Sequence, residues 1–275
     1  MARKVVHVSN EIIMSLNVWK SKISSVGKYQ PYLTIRDVNK VGRRHWIFCP
    51  RQNREVHLLS DGEFRAYKIL LWQPRVISVE EQYPLDIDET LNIAAQSQII
   101  HPRNWKTNLA YIMTTDFVVK TLLDNGLHKR TAYTFKYWNQ LFQRFPDGRV
   151  EKINTRTWQK FAIEREYWKM RGVEYRVITE LDTTKPHAWN IEYFELAHDL
   201  VTSTGELKEF NQAFVESWLK TPRAELQDHF KSLQALTNNS YQRIQSLFQY
   251  SGLHHFLPVS MDKYIRVFRP VELLL

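Results

Sequence analysis

A single cysteine, Cys49, excludes a disulfide framework and any C-x-x-C zinc site. It fits a reducing, cytoplasmic compartment. The ten histidines are scattered and none stands in H-x-x-x-H spacing, so none is read as a zinc ligand. Glycine is scarce, at eight, and no low-complexity run is present, which argues against a disordered chain. No apolar run approaches the roughly 18 residues that a membrane span requires. The first residues, MARKVVHVSNEIIMS, lack the apolar core of a signal peptide, so the expectation is a chain with no membrane association.

What is present is apolar enough for real cores: 43% hydrophobic, 13% aromatic, over 275 residues, a length comfortable for two domains. The balance of 38 Lys+Arg against 29 Asp+Glu gives a net charge of +9, which points toward nucleic acid as a partner class. Residues 1–30 read as a basic arm containing a short helix, NEIIMSLNVWKSK. Extended runs follow at 45–49, 76–85, 111–123 and 131–138, with a further strand at 173–180. Asp124-Asn125-Gly126 separates two of these runs and predicts a hairpin turn, because Asn and Gly tolerate positive φ. Helices are expected at 60–72 and 155–172. This order describes an α/β sandwich around a small mixed sheet, ending near the loop LDTTKPHAW. The remainder is mostly helical and closes on HHFLPVSMDKYIRVFRPV, read as two short strands around a turn. Helices followed by a β-hairpin are the order of a winged-helix module. The expected division is therefore 1–184 and 185–275.

Chemistry enters with TTDFVVK and AYTFKYW, strand runs that carry one carboxylate, Asp116, and one cation, Lys136. A lone charge in an apolar strand is costly unless something compensates it. On neighbouring strands the pair suits phosphodiester hydrolysis. Asp116 can hold Mg²⁺, a hard cation that takes oxygen ligands, while Lys136 orients a water or neutralises charge on the phosphate. A cross-strand ion pair is the plainer alternative. Glu63 opens a helix as the third residue after Ser60, a capping box that can equally supply a second metal oxygen. Glu164 stands three residues after Phe161 and four before Trp168, on the aromatic face of its helix, where a carboxylate must be paired or turned toward a site.

Arg43, Arg44, Arg51 and Arg54 crowd the segment before the Glu63 helix, with Trp46 among them, and form a candidate phosphate-contacting cluster. The alternative is a solvated strand pair. In the last third, Arg243, Lys263, Arg266 and Arg269 are candidates for a recognition helix and wing, and the apolar end PVELLL suits protein docking.

The blocks GRRHWIF, HLLSDGE, EEQYPL, IIHP, TTDFVV, F-x-K and IEREYW, in this order across about residues 29–180, resemble the TnsA family. That family is the restriction-endonuclease-like, 5′-end-cutting subunit of Tn-seven-type heteromeric transposases. The resemblance implies an α+β, PD-(D/E)xK nuclease core with a mixed central sheet, followed by a mostly helical, winged-helix-like domain. It implies catalytic roles for Glu63, Asp116, Lys136 and Glu164. The metal would be held by Glu63, Asp116 and the Phe135 backbone carbonyl. The cofactor implied is Mg²⁺, one or two per site, with Mn²⁺ able to substitute. Implied partners are the transposon ends as DNA, a DDE transposase (TnsB-like) and an AAA+ ATPase regulator (TnsC-like). One departure stands out. Thr134 occupies the position two before the lysine, where related nucleases carry Glu, Asp or Gln, and a neutral hydroxyl is a weaker Mg²⁺ ligand. The connection through FPDGRVEKIN is also longer than in the family. A stand-alone restriction or repair nuclease, and a non-catalytic DNA-binding adaptor on the same fold, remain as rivals.

Overall fold

The computed structural model describes residues 6–39 and 42–275, so the first five residues of the basic arm, and Lys40 and Val41, lie outside the described residues. The chain divides into two compact units, one of Met1–Leu71 with Arg75–Asp182 and the other of Trp72–Pro74 with Thr183–Leu275. The sequence reading kept Trp72–Pro74 with the first domain. The second unit takes it instead: the Trp72 indole donates to Glu195 Oε1 at 2.5 Å, and His255 Nε2 lies 2.7 Å from the Trp72 carbonyl.

The first unit begins with α1 (Asn10–Val26), capped by Ser9 and stopped by Gly27 at φ 67°. It continues with β1 (His45–Cys49), β2 (Arg54–Leu58), α2 (Asp61–Leu71), β3 (Val76–Pro84), α3 (Ile87–Gln96), β4 (Thr114–Leu122) and β5 (His128–Phe135). After these come α4 (Trp138–Leu141), β6 (Phe142–Arg144), β7 (Val150–Lys152), α5 (Thr155–Lys169) and β8 (Glu174–Ile178). The central sheet has the order β3-β4-β5-β8. Its first three strands are antiparallel, and β8 returns parallel to β5 through α5, so the sheet is mixed.

Asp124-Asn125-Gly126 does make the β4–β5 turn: Leu123 N–H donates to Leu127 O, and Gly126 takes φ 78°. Helices cover both faces. Phe117 meets Tyr67 of α2 on one side. Val118 and Ala132 pack with Ile163, Tyr167 and Trp168 of α5 on the other, as the two-residue period of a strand demands. Before the connection that follows Lys136, two elements escaped the sequence reading. One is β2, the partner of β1; the other is α3, started by Asp86 accepting from the amides of Asp88 and Glu89. The long connection after Lys136 folds as α4 and a β6–β7 hairpin.

The second unit contains α6 (Lys185–Glu195), α7 (Thr204–Lys220), α8 (Leu226–Leu236) and α9 (Tyr241–Leu253). Its core is aromatic, with Phe214, Phe230 and Phe248 in mutual ring contact. The expected terminal hairpin does not form. Residues 254–275 hold one isolated antiparallel bridge, Val259 with Leu273, flanked by the Ser260 amide on Glu272 O and the Leu274 amide on Pro258 O, while the carbonyls of Arg269 and Val267 accept from the amides of Leu226 and Gln227. Val271 and Leu273 are buried in this unit, so of the apolar PVELLL end Leu274 and Leu275 are the exposed leucines. Arg243 is bound to Glu206 by its Nε at 2.8 Å and its Nη2 at 2.5 Å, and Arg266 lies over the Trp189 ring. These cations serve the unit's own packing. No helix of the described residues is long and apolar enough to cross a membrane.

Candidate functional site

The start of α2 fixes the first carboxylate. Glu63 N–H donates to Ser60 Oγ at 3.1 Å, Ser60 Oγ donates back to Glu63 Oε1 at 3.1 Å, and Leu59 N–H donates to Glu63 Oε2 at 2.9 Å. The box closes one residue early, on the amide of Leu59 and not that of Ser60, and it presents Glu63 instead of merely consuming it, since the side chain also lines a cleft. Gly62 makes the position possible: a Cβ there would stand 2.0 Å from the Phe135 ring, so only glycine lets α2 approach the end of β5.

The second carboxylate sits where the β4–β5 ladder stops. Paired positions run from Leu122↔His128 to Phe117↔Tyr133. At the next residue the Asp116 side chain, not the backbone of β4, accepts the Phe135 N–H at 2.7 Å. The Asp116 carboxylate thus spans the opening between two diverging strands. Lys136 follows at once, its backbone tied to β8 through Ile178 O at 2.9 Å. The Lys136 charge lies near enough to favour the ionised form of Asp116.

The amide of Gln82 joins the two carboxylates. Its Nε2 lies 3.2 Å from Glu63 Oε2 and 3.5 Å from Asp116 Oδ1, while its Oε1 accepts from Thr114 Oγ1 at 3.0 Å. Glu164 is buried behind them, and its Oε2 accepts from Thr134 Oγ1 at 2.9 Å and Thr115 Oγ1 at 3.0 Å. Thr134 is therefore turned to Glu164 and is 7% exposed, which ends its use as a metal ligand from this position.

Burial raises the proton affinity of all three acids. Desolvation is the main cause at Glu63, with the neighbouring Asp116 charge adding to it. Asp116 is also raised by desolvation, against the pull of the Phe135 amide, Lys136 and Gln82. Glu164 is pushed up to about 8 by burial and then by Asp116, against the two threonine hydroxyls. Desolvation is the first cause at each of the three, and the Asp116 charge adds to it at Glu63 and Glu164.

The cleft holds about 360 Å³ and is lined by Arg43, Asp61, Glu63, Lys136, Tyr137 and Gln140, among others. The four candidate arginines divide sharply here. Arg43 is exposed at the cleft, 3.6 Å from Asp61, which also binds His45 at 2.7 Å. Arg44 donates to the carbonyls of Ile35 and Val38, and Arg51 to those of Leu71 and Val76, so both clamp backbone. Arg54 is 6% exposed and forks onto Glu81 at 2.8 and 2.6 Å. It cannot reach a phosphate, because buried Glu81 would be left without its partner.

The sequence reading missed Gln82, although it lies in the EEQYPL block, and missed Lys160 on α5. Lys160 is pulled down by burial, with Arg156 and Lys136 adding repulsion, which places a second ammonium beside Lys136. A period-four look back from Glu164 along α5 would have found it. Among the described residues no three His, Cys, Asp or Glu converge as a metal site.

Residues 73–180 match the family model described as TnsA-like endonuclease N terminal. Over 185 residues the chain is 29% identical to the transposon Tn7 transposition protein TnsA of Escherichia coli, covering 67% of this chain and 62% of that protein. The chain thus matches less than two thirds of that relative's length.

Proposed function

The chain belongs to the TnsA family through its first unit, and from that premise we propose that it is a metal-dependent DNA endonuclease subunit of a transposase, hydrolysing the 5′ ends of a transposon. The observation that carries this reading is the convergence of Glu63 and Asp116 on one amide at a cleft that Lys136 also lines. Two buried carboxylates with raised proton affinity are a poor structural pair, and a dication held by Glu63 and Asp116 would offset the cost of burying them ionised.

The donors are hard oxygens, which suits Mg²⁺ or Mn²⁺, and Mg²⁺ keeps several waters, so two carboxylates with the Phe135 carbonyl suffice. When bound, the ion polarises the scissile phosphate and lowers the pKa of a water. Lys136 orients that water or neutralises charge as it builds on the phosphate. Glu164 acts from behind, holding Thr115 and Thr134 at the ends of β4 and β5 and so fixing the strand opening that Asp116 bridges. Arg43 lines the cleft, and Lys160, which feels the Lys136 charge, adds to the positive charge for the DNA backbone. Cleavage leaves a 5′ phosphate and a 3′ hydroxyl. A DDE transposase (TnsB-like) cutting the 3′ ends, and an AAA+ ATPase regulator (TnsC-like), are the partners of this reading, in the cytoplasm.

The test is a strand-specific cleavage assay on transposon-end DNA, with the reconstituted partner and with Mg²⁺ or chelator. Wild type should cut the 5′ ends only with the cation, and Asp116→Ala should not cut. Equal cutting by both proteins ends the proposal. Cutting by wild type without any partner favours a stand-alone nuclease, and no cutting with partner and Mg²⁺ favours a non-catalytic adaptor.

A further inference from the structure

Gln82 is 2% exposed and has φ 49°, a left-handed conformation uncommon for a residue with a side chain and most unusual inside a strand. In the β3–β4 register Glu81 faces Phe117 and Tyr83 faces Thr115, so Gln82 falls opposite Asp116. The backbone there is held from outside the sheet: Tyr32 N–H donates to Gln82 O at 3.3 Å, and the Tyr29 hydroxyl donates to Glu81 O at 2.7 Å. A strained residue kept by its surroundings points to a functional constraint. What the constraint achieves is the aim of the amide. Its donor end enters the space between Glu63 and Asp116, and its acceptor end is anchored by Thr114.

We propose that Gln82 is a latch, a neutral stand-in that occupies the space between Glu63 and Asp116 in the cation-free protein and must withdraw its Nε2 for a divalent cation to enter. This inference rests on the metal-dependent reading above. An N–H cannot ligate a cation, so the amide and the ion compete for the same carboxylate oxygens. The latch lowers cation affinity by the strength of the hydrogen bonds that have to break. It also makes the free site reluctant to load until a phosphate supplies further oxygens. Cation loading is thereby coupled to the presence of DNA, since whatever favours the latch-open form favours both. Gln82 is accordingly a positioning residue that contacts the two carboxylates and not the reacting phosphate.

The experiment measures Mg²⁺ binding by calorimetry, and melting temperature with and without Mg²⁺, on the full chain without DNA. The proteins are wild type, Gln82→Met, Gln82→Asn and Asp116→Ala. The latch requires Gln82→Met to melt lower than wild type without cation, yet to bind Mg²⁺ about tenfold more tightly, as loss of hydrogen bonds to charged groups implies. Gln82→Asn guards against misfolding, because asparagine tolerates positive φ, and its shorter amide cannot reach both acids; it too must bind more tightly. Weaker binding by both variants would make Gln82 a ligand and overturn the latch, and unchanged binding would reduce it to a fold element and overturn it equally. If the latch-free Gln82→Met shows no Mg²⁺ response beyond that of Asp116→Ala, the metal site fails and the latch falls with it, an outcome distinct from the other two.

Discussion

Two neighbouring residues of β3 lead to buried acids that are treated in opposite ways. Glu81, fully buried, is matched by the fork of Arg54, by the His57 amide at 3.2 Å, and by packing of Arg54 over the Tyr29 ring. One position on, Gln82 offers Glu63 and Asp116 only a neutral amide. The first acid is neutralised from within the chain and serves the fold. The second pair is left short of positive charge, with a cleft open to solvent beside it. The lesson is that an under-compensated acid cluster next to a fully compensated one is not a general tolerance of buried charge; it is a local deficit, and the proposed cation site rests on it.

The largest effect should come from the deficient side. Asp116→Ala is expected to lower 5′-end cleavage in the reconstituted complex by at least about 10³-fold, measured by strand-specific gel assay, while the fold persists by circular dichroism. On the compensated side the expectation is reversed. Arg54→Met leaves Glu81 unpaired in the core and should cost about 3–5 kcal/mol in denaturant titrations, with the paired change Arg54→Met/Glu81→Leu recovering most of it. A cleavage defect without that instability would break the contrast.

Gly62→Ala tests the seam between the two regions. Its methyl would clash with the Phe135 ring, costing about 1–3 kcal/mol and disturbing the amide that Asp116 accepts. Glu164 gives a pH signature. Its folded value of about 8 lies above an ordinary 4.5, so its stabilising contribution is complete below about 4.5 and is lost as pH rises through about 8. Glu164→Gln should therefore show a shallower loss of melting temperature between those limits, and should overtake wild type at the alkaline end in chelator. The smallest effect is at the rim. Arg43→Ala should weaken DNA binding modestly and reduce its salt slope by about 1, whereas Arg44, Arg51 and Arg54 substitutions should act through stability.

Much of this protein is local, and local features are what the amino-acid order itself determined. The Asp124-Asn125-Gly126 turn, the Ser60–Glu63 capping box and the placement of Glu164 on the packed face of α5 follow from contacts a few residues apart, so their physics is complete within a short window. Helix α3 was legible in the same way, through Asp86 and its two amide partners, but its signal went unread.

Only the tertiary structure decided which arginine meets solvent and which is committed to Glu81. Only it turned Thr134 toward Glu164, drew Trp72–Pro74 into the second unit, and gave 254–275 a single antiparallel bridge. It alone gave Gln82 its place. Each of these depends on partners tens of residues distant, and at such range a charged or polar side chain has several chemically equal choices. Sequence spacing ranks those choices weakly; burial, which removes water as the alternative partner, selects one of them.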